Sequence, residues 1–323
     1  MRRSLPAIRR VAFLLLLVAC GSRTGLFVED DGFTDFDPDA GPDGRRDGGR
    51  DAEDLEDAPP PLDVRPPTDV DRTDCPDAEA TLVYTITSTY DLQSFNPDTG
   101  QFSLIGKIAC PTPAPATPFS MAVDRRGIAY VLFNNERLFR VSTATAACLS
   151  TSYVPRQSNF GLFGMGFATN SVGPTESLFV AGDDQLRSGR PAGASSLARI
   201  TPGTFDLTPV GAFSPRIASA ELTGTGDGRL FAFYSKERRS PPSYIGEIDT
   251  TTAQVVGERR FDNVDQGSGW AFAYWGGDFY MFHAPGDASR VTRWRPSDDS
   301  VTQVATTSLK IVGAGVSTCA PQQ

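Results

Sequence analysis

The alternation of apolar and polar positions changes character at Cys75. From Thr81 onward, short runs rich in Val, Ile, Phe, Tyr and Thr alternate with clusters of Gly, Asp, Asn, Pro and Ser. Such spacing predicts β-strands joined by tight turns rather than helices. Phe119–Val154 shows the unit: FSMAVD, RRG, IAYVLF, NNE, RLFRVS, TATAA, CLSTSYV. It reads as four strands and the turns between them. The same four-strand reading applies from about Phe163 to Phe213, Ala218 to Phe261, and Gly269 to Ala305. Gly127, Gly228 and Gly277 each precede an aromatic-rich second strand (AYV, LFAF, FYMF).

A fifth unit is divided between the ends of this region. Residues 81–109 supply only three strands, TLVYTITS, DLQSFN and QFSLIGKIA. They match strands two to four of the other units. The missing first strand is Ile311–Thr318, IVGAGVST. Four-stranded repeats closed by one unit built from both ends predict an all-β, five-bladed β-propeller over 75–323, a ring that leaves only short sheet edges. A β-sandwich is one alternative. A six-bladed ring with a strand hidden in the long Gly182–Ser196 loop is the other. The textures MAVDRRGIAYVLF and GTGDGRLFAFY resemble the broad group of YVTN/NHL-like, quinoprotein-like propellers. That resemblance implies a fold and leaves function open, because propellers host enzymes and binding modules alike.

The N-terminal region reads differently. Four Arg lie within Met1–Arg10, and Val11–Ala19 (VAFLLLLVA) is an unbroken apolar run. The run is too short to cross a bilayer as a helix and fits a signal peptide over 1–19. Phe13 falls one place late for a twin-arginine signal after Arg9-Arg10, so the Arg residues read as a plain charged n-region. The run ends Leu17-Val18-Ala19-Cys20, which resembles a bacterial lipobox. The resemblance implies that Cys20 is lipidated and that acyl chains tether the protein to a membrane. Gly21 and Ser22, with no Asp beside the Cys, imply the outer membrane of a Gram-negative envelope. The start CGSRTGL followed by an acidic stretch resembles exported lipoproteins of the myxobacterial type.

Charge separates the regions further. The net charge of −9 is spread unevenly, with residues 20–74 holding 17 acids, six Arg, seven Pro and seven Gly, net −11. That composition cannot offset its ordering entropy, so 20–74 is expected to be a disordered acidic linker. Asp35–Gly44 lacks the terminal Glu of an EF-hand loop. Residues 75–323 carry a net charge of only −2. No basic face for nucleic acid is indicated, and a monomer is expected.

Candidate chemistry is sparse. The first strand of each unit lines the channel of a propeller, and here these strands are mostly small and apolar. Glu221 is the one carboxylate embedded in such a strand. As the one group expected to be ionised there, it is a candidate ligand contact at one channel mouth, where Glu221→Gln would weaken binding. A glycosidase needs two carboxylates about 5–9.5 Å apart. Trp270 and Tyr274 alternate onto one face of the fourth inner strand and could stack on a sugar or peptide, although core packing is the commoner role. His283 is alone, without a second His or a Cys at ligand spacing, and reads as structural. The loop Lys236–Pro242 (KERRSPP) reads as a solvated basic run. No zinc-type Cys pair, phosphate loop or Gx-Ser-xG elbow occurs, so neither a metal nor a cofactor is expected. Two readings remain: an envelope-anchored scaffold that binds a protein or glycan, and a carbohydrate-active hydrolase or lyase in the same channel.

Four Cys remain after Cys20, and they allow three pairings in an oxidising compartment. Cys319 follows the first strand of the divided unit and Cys75 precedes its second, where the other units have a covalent turn. Cys75–Cys319 is therefore the expected bridge. Cys110 and Cys148 then pair only by elimination; the strand order puts them on opposite faces of the ring, so either the Pro111–Pro118 loop bends back or both thiols are free.

Overall fold

The structure is a computed structural model, and it describes residues 58–64, 75, 82–170, 174–183, 194–237 and 241–322. The proposed signal peptide, Cys20 and most of the acidic linker lie outside the described residues.

Among the described residues, twenty strands form five four-stranded antiparallel sheets. The first three are β1 (Val83–Thr87), β2 (Asp91–Asn96) and β3 (Gln101–Lys107). The next blade is β4 (Pro118–Val123), β5 (Ile128–Phe133), β6 (Leu138–Ser142) and β7 (Cys148–Ser150). Then come β8 (Phe163–Thr169), β9 (Glu176–Asp183), β10 (Ser195–Ile200) and β11 (Leu207–Ala212), followed by β12 (Ser219–Gly224), β13 (Leu230–Ser235), β14 (Ser243–Ile248) and β15 (Val255–Phe261). The last complete blade is β16 (Trp270–Trp275), β17 (Asp278–His283), β18 (Ser289–Arg295) and β19 (Ser300–Thr307). The final strand, β20 (Ile311–Gly315), pairs with β1 through Tyr84–Gly315, Thr85–Ala314 and Ile86–Gly313. The fold is therefore a five-bladed β-propeller closed by a blade shared between the two ends of the domain.

Burial declines from the axis outward. Every residue of β8, β13 and β17 is buried, because neighbouring blades cover both faces of the inner strands. The outer strands β3 and β11 are mostly half-buried or exposed. Five apolar clusters sit between adjacent blades, and each joins second- and third-strand side chains of one blade to inner-strand side chains of the next. In one of them Phe272 and Phe279 stack at 5.6 Å, and Trp294 stacks on Phe279 at 5.3 Å. Large buried rings supply most of the burial energy of such an interface.

Around the axis there is no room for side chains at several positions. A Cβ on Gly164 would lie 2.1 Å from Ala220 O, one on Gly224 2.2 Å from Phe167 O, and one on Gly315 2.7 Å from Val123 N. These pairings rise together along β8 and β12, and along β20 and β4, so neighbouring inner strands run parallel. All inner strands therefore begin at one mouth of the channel and end at the other.

Two disulfides are present. Cys75–Cys319 spans 244 residues and ties the entry of the domain to its last strand. Cys110–Cys148 joins the shared blade to the next one. The expected separation of these two on opposite faces does not hold. Sheet twist swings an outer strand far from the direction of its inner strand. The end of β3 thus meets the β6–β7 turn, with Gly106 so placed that a Cβ would lie 3.1 Å from Ala146 Cβ.

Part of the acidic segment expected to be a spacer is docked. Ala58–Val64 lies against β15: the Leu62 N–H donates to Glu258 O at 3.1 Å, and the Glu258 N–H donates to Pro60 O at 2.8 Å. Leu62 and Val64, two residues apart and so on one side of an extended chain, pack on the same cluster as Phe279 and Trp294. Arg229 donates to Asp63 O at 2.9 Å. The mean composition of 20–74 conceals this short apolar alternation.

Two outcomes are expected. Gly224→Ala should destabilise the domain by about 2–3 kcal/mol through overpacking at the axis, whereas Gly276→Ala should cost roughly 1 kcal/mol, since Gly276 has φ +60° with open space around it. Urea denaturation of the two variants compares them directly. Replacing Cys75 and Cys319 together by Ser should lower stability by about 2–5 kcal/mol. Peptide mapping without reductant should find Cys75 joined to Cys319 in the parent protein.

Candidate functional site

The two mouths of the channel differ. Where the inner strands end, the C-terminal residues cross the opening. The Gly276 N–H donates to Pro321 O at 2.8 Å, the Tyr274 hydroxyl donates to Gln322 O at 3.3 Å, and the Thr318 hydroxyl donates to Glu176 Oε2 at 3.0 Å. Thr318, Cys319, Ala320 and Gln322 are buried there. This tail covers the ends of β4, β8 and β16.

At the opposite mouth, where the inner strands begin, a cavity of about 270 Å³ remains. Phe119 at the start of β4, Val312 on β20 and Trp270 at the start of β16 form one side. Ser88, Asn134 and Ser268 come from turns at the rim, and Lys310 is the one cation among its described lining residues. Lys310 pairs with Asp287 at 3.3 Å. Glu221 reaches the cavity from β12 and is the only carboxyl group among these lining residues. The channel is thus a well with its own chain at the bottom.

Glu221 owes its place to Gly164. A Cβ on Gly164 would lie 2.9 Å from the Glu221 carboxyl carbon, so only glycine leaves room for that group. Ser120 Oγ donates to Glu221 Oε2 at 2.8 Å, and the Met165 backbone N–H also bonds the carboxyl. Burial nevertheless outweighs these bonds and pushes Glu221 well above the usual carboxyl range. The Glu221 carboxyl thus sits among donors, with its charged form disfavoured by burial.

The two aromatic candidates separate. Trp270 lines the cavity, and its indole N–H is buried without a hydrogen-bond partner. Tyr274 lies four residues further along β16, at the covered mouth, where its ring stacks on Phe231 at 6.0 Å. It belongs to the core and the tail contact. Strand alternation puts both side chains on one face, but four residues carry them from one mouth to the other. Phe119 was not singled out in the sequence. Its only signal was its place at the head of an inner strand.

His283 is structural. Nδ1 lies 2.9 Å from Asp265 O and Nε2 lies 2.9 Å from Thr292 Oγ1, and burial lowers its pKa. In the basic loop, Lys236 pairs with Glu258 at 2.6 Å and covers the Tyr244 ring at 4.6 Å; residues 238–240 lie outside the described residues, as do 184–193 of the long loop. A second acidic group appears at the covered mouth. Glu176 accepts from the Arg125 N–H at 2.9 Å and from Thr318, and burial pushes it up to about 7.

No protein-family model and no curated sequence matches the chain. Solved propellers do resemble it at a distance. A chain of a nidogen–laminin complex is 11% identical with a TM-score of 0.43, over 73% of this chain and 97% of that one. TolB from Acinetobacter baumannii is 14% identical with a TM-score of 0.39, over 70% of this chain and 53% of its own. The Dos1 propeller is 13% identical with a TM-score of 0.35, over 70% and 55% respectively.

Glu176 has a consequence for stability. Its folded pKa of about 7 lies above the ordinary 4.5, so the folded protein keeps a proton that the unfolded chain has released. That contribution is complete below about pH 4.5 and is lost as pH rises through 7. His283 acts in the opposite sense, because the folded protein holds it neutral, and stability falls as pH drops below its ordinary 6.5. In urea unfolding at a series of pH values, Glu176→Gln should flatten the decline between pH 5 and 8.

Proposed function

We propose that this protein is an envelope-anchored lipoprotein that presents its propeller as a binding scaffold, with the ligand held at the open mouth of the channel. The observation that carries the reading is the asymmetry of the well. The chain's own C-terminus occupies one mouth, while the other keeps a cavity edged by Phe119, Trp270 and Glu221. Ligand pockets are concave, mostly apolar and furnished with a few convergent polar groups, which describes this cavity. Membrane attachment rests on Leu17-Val18-Ala19-Cys20 behind an apolar run. The acidic stretch then spaces the ring from the surface, and Ala58–Val64 seats its far end on β15. Catalysis is not part of the proposal. One buried carboxyl among the lining residues does not make the acid and nucleophile pair of a glycosidase.

Two measurements test it. Cells given labelled palmitate should incorporate it into the wild type and not into Cys20→Ala, with the variant moving from the membrane to the soluble fraction. A wild type that takes up no label and fractionates as soluble removes the anchor. For the site, the full chain is screened on glycan and peptide arrays beside Val312→Trp, which fills the cavity. Hits that vanish in Val312→Trp support the open mouth, and hits that persist move the site to the outer loops.

A further inference from the structure

The lining of the open mouth narrows the ligand class. We infer that the well takes a single uncharged, hydroxyl-bearing ring, the terminal unit of a neutral saccharide, held against Trp270 and Phe119 with its hydroxyls on Glu221 and the rim. This deepens the binding reading above and rests on it.

Four observations converge. The first is charge. Lys310 is the one cation on the described lining, and Asp287 already faces it at 3.3 Å. The Glu221 carboxyl already accepts from Ser120 Oγ at 2.8 Å and from the Met165 N–H. A ligand with a net charge finds no uncompensated partner in the well, and burying such a charge unpaired is costly. The second is hydrogen bonding. The Glu221 carboxyl offers oxygens to a ligand hydroxyl, and Ser88, Asn134 and Ser268 at the rim add donors and acceptors. The third is the wall: Trp270 is half-buried and lines the cavity from the head of β16. The fourth is shape. Phe119 and Trp270 start the inner strands on either side of β20, so they flank Val312 across the mouth. Two aromatic side chains bordering a polar floor suit a ring whose C–H faces are apolar and whose edge is polar. At about 270 Å³ the cavity lies just under the usual range of roughly 300–1,000 Å³ for ligand sites. It holds one ring, so a longer glycan must run outward over the rim.

The test uses the full chain with neutral sugars (a hexose, an N-acetylhexosamine and a neutral disaccharide) and charged counterparts (a uronic acid and a hexosamine). Saturation-transfer NMR and tryptophan fluorescence report binding. Neutral sugars should bind with affinities at least tenfold better than the charged ones. Trp270→Leu should weaken binding several-fold by removing the ring. Glu221→Gln should stay within about threefold of the wild type, since an amide still donates and accepts, while Glu221→Leu should lose at least tenfold. Circular dichroism checks that each variant folds. If the Trp270 variant does not, Phe119→Leu provides the same reading by removing a ring while keeping an apolar side chain. Charged sugars that outbind neutral ones and are lost in Val312→Trp would overturn the ligand class and leave the mouth as the site. Neutral-sugar binding indifferent to Trp270, Phe119 and Val312 would overturn both. Array ligands lost in Val312→Trp, with no sugar bound, would overturn the saccharide alone.

Discussion

Five inner strands meet around one axis so closely that at several positions only glycine fits, and the rest of the structure follows from that approach. Gly164 and Gly166 on β8, Gly224 on β12, and Gly313 and Gly315 on β20 all face the backbone of a neighbouring inner strand. With only five blades, each sheet must turn far towards the next. The narrow centre admits little more than glycine, alanine and serine, and the width accumulates outward as Phe, Tyr and Leu in the clusters between blades. Parallel inner strands then give the channel two unlike ends, one where strands begin and one where they finish.

That geometry governs the polar groups as well. A carboxyl on an inner strand is removed from water by the blades on either side, and bonds from Ser120 and the Met165 backbone do not compensate the loss of hydration. The Glu221 pKa is therefore pushed well above the usual carboxyl range. Asp124, at the end of β4, shows a milder version. It accepts from the Arg126 and Ile128 N–H groups in its own turn, yet burial still raises it. His283 answers the same burial by staying neutral. Charge survives on the periphery, as in the Arg229–Glu247 pair.

The ends of the chain finish what the repeats begin. The C-terminal residues cross the mouth that the strands leave, and Cys319 bonds there to Cys75. The bridge fixes the entry of the domain to the same side as the tail that covers the channel. Upstream, Leu62 and Val64 seat a short stretch of the acidic segment on β15. The approach to the domain is thus held at two places, and the opposite mouth stays open.

The strands, their grouping in fours, the divided fifth blade and its Cys75–Cys319 closure were legible in the order of residues. Strand alternation has a period of two, turns declare themselves by Gly, Asp and Asn, and a repeat shows which strand is missing; all of these are local signals. The folded ring decided what depends on depth and twist. Trp270 and Tyr274 share a strand face, but their distance along the axis places one at the open well and the other under the C-terminus. Cys110 and Cys148 meet because twist carries the edge of one blade across to the next. Phe119 gained its place, and Glu221 was withdrawn from water, because neighbours distant in sequence enclose them. An amino-acid order states what a side chain can do, whereas its solvation and its partners exist only once the ring has closed.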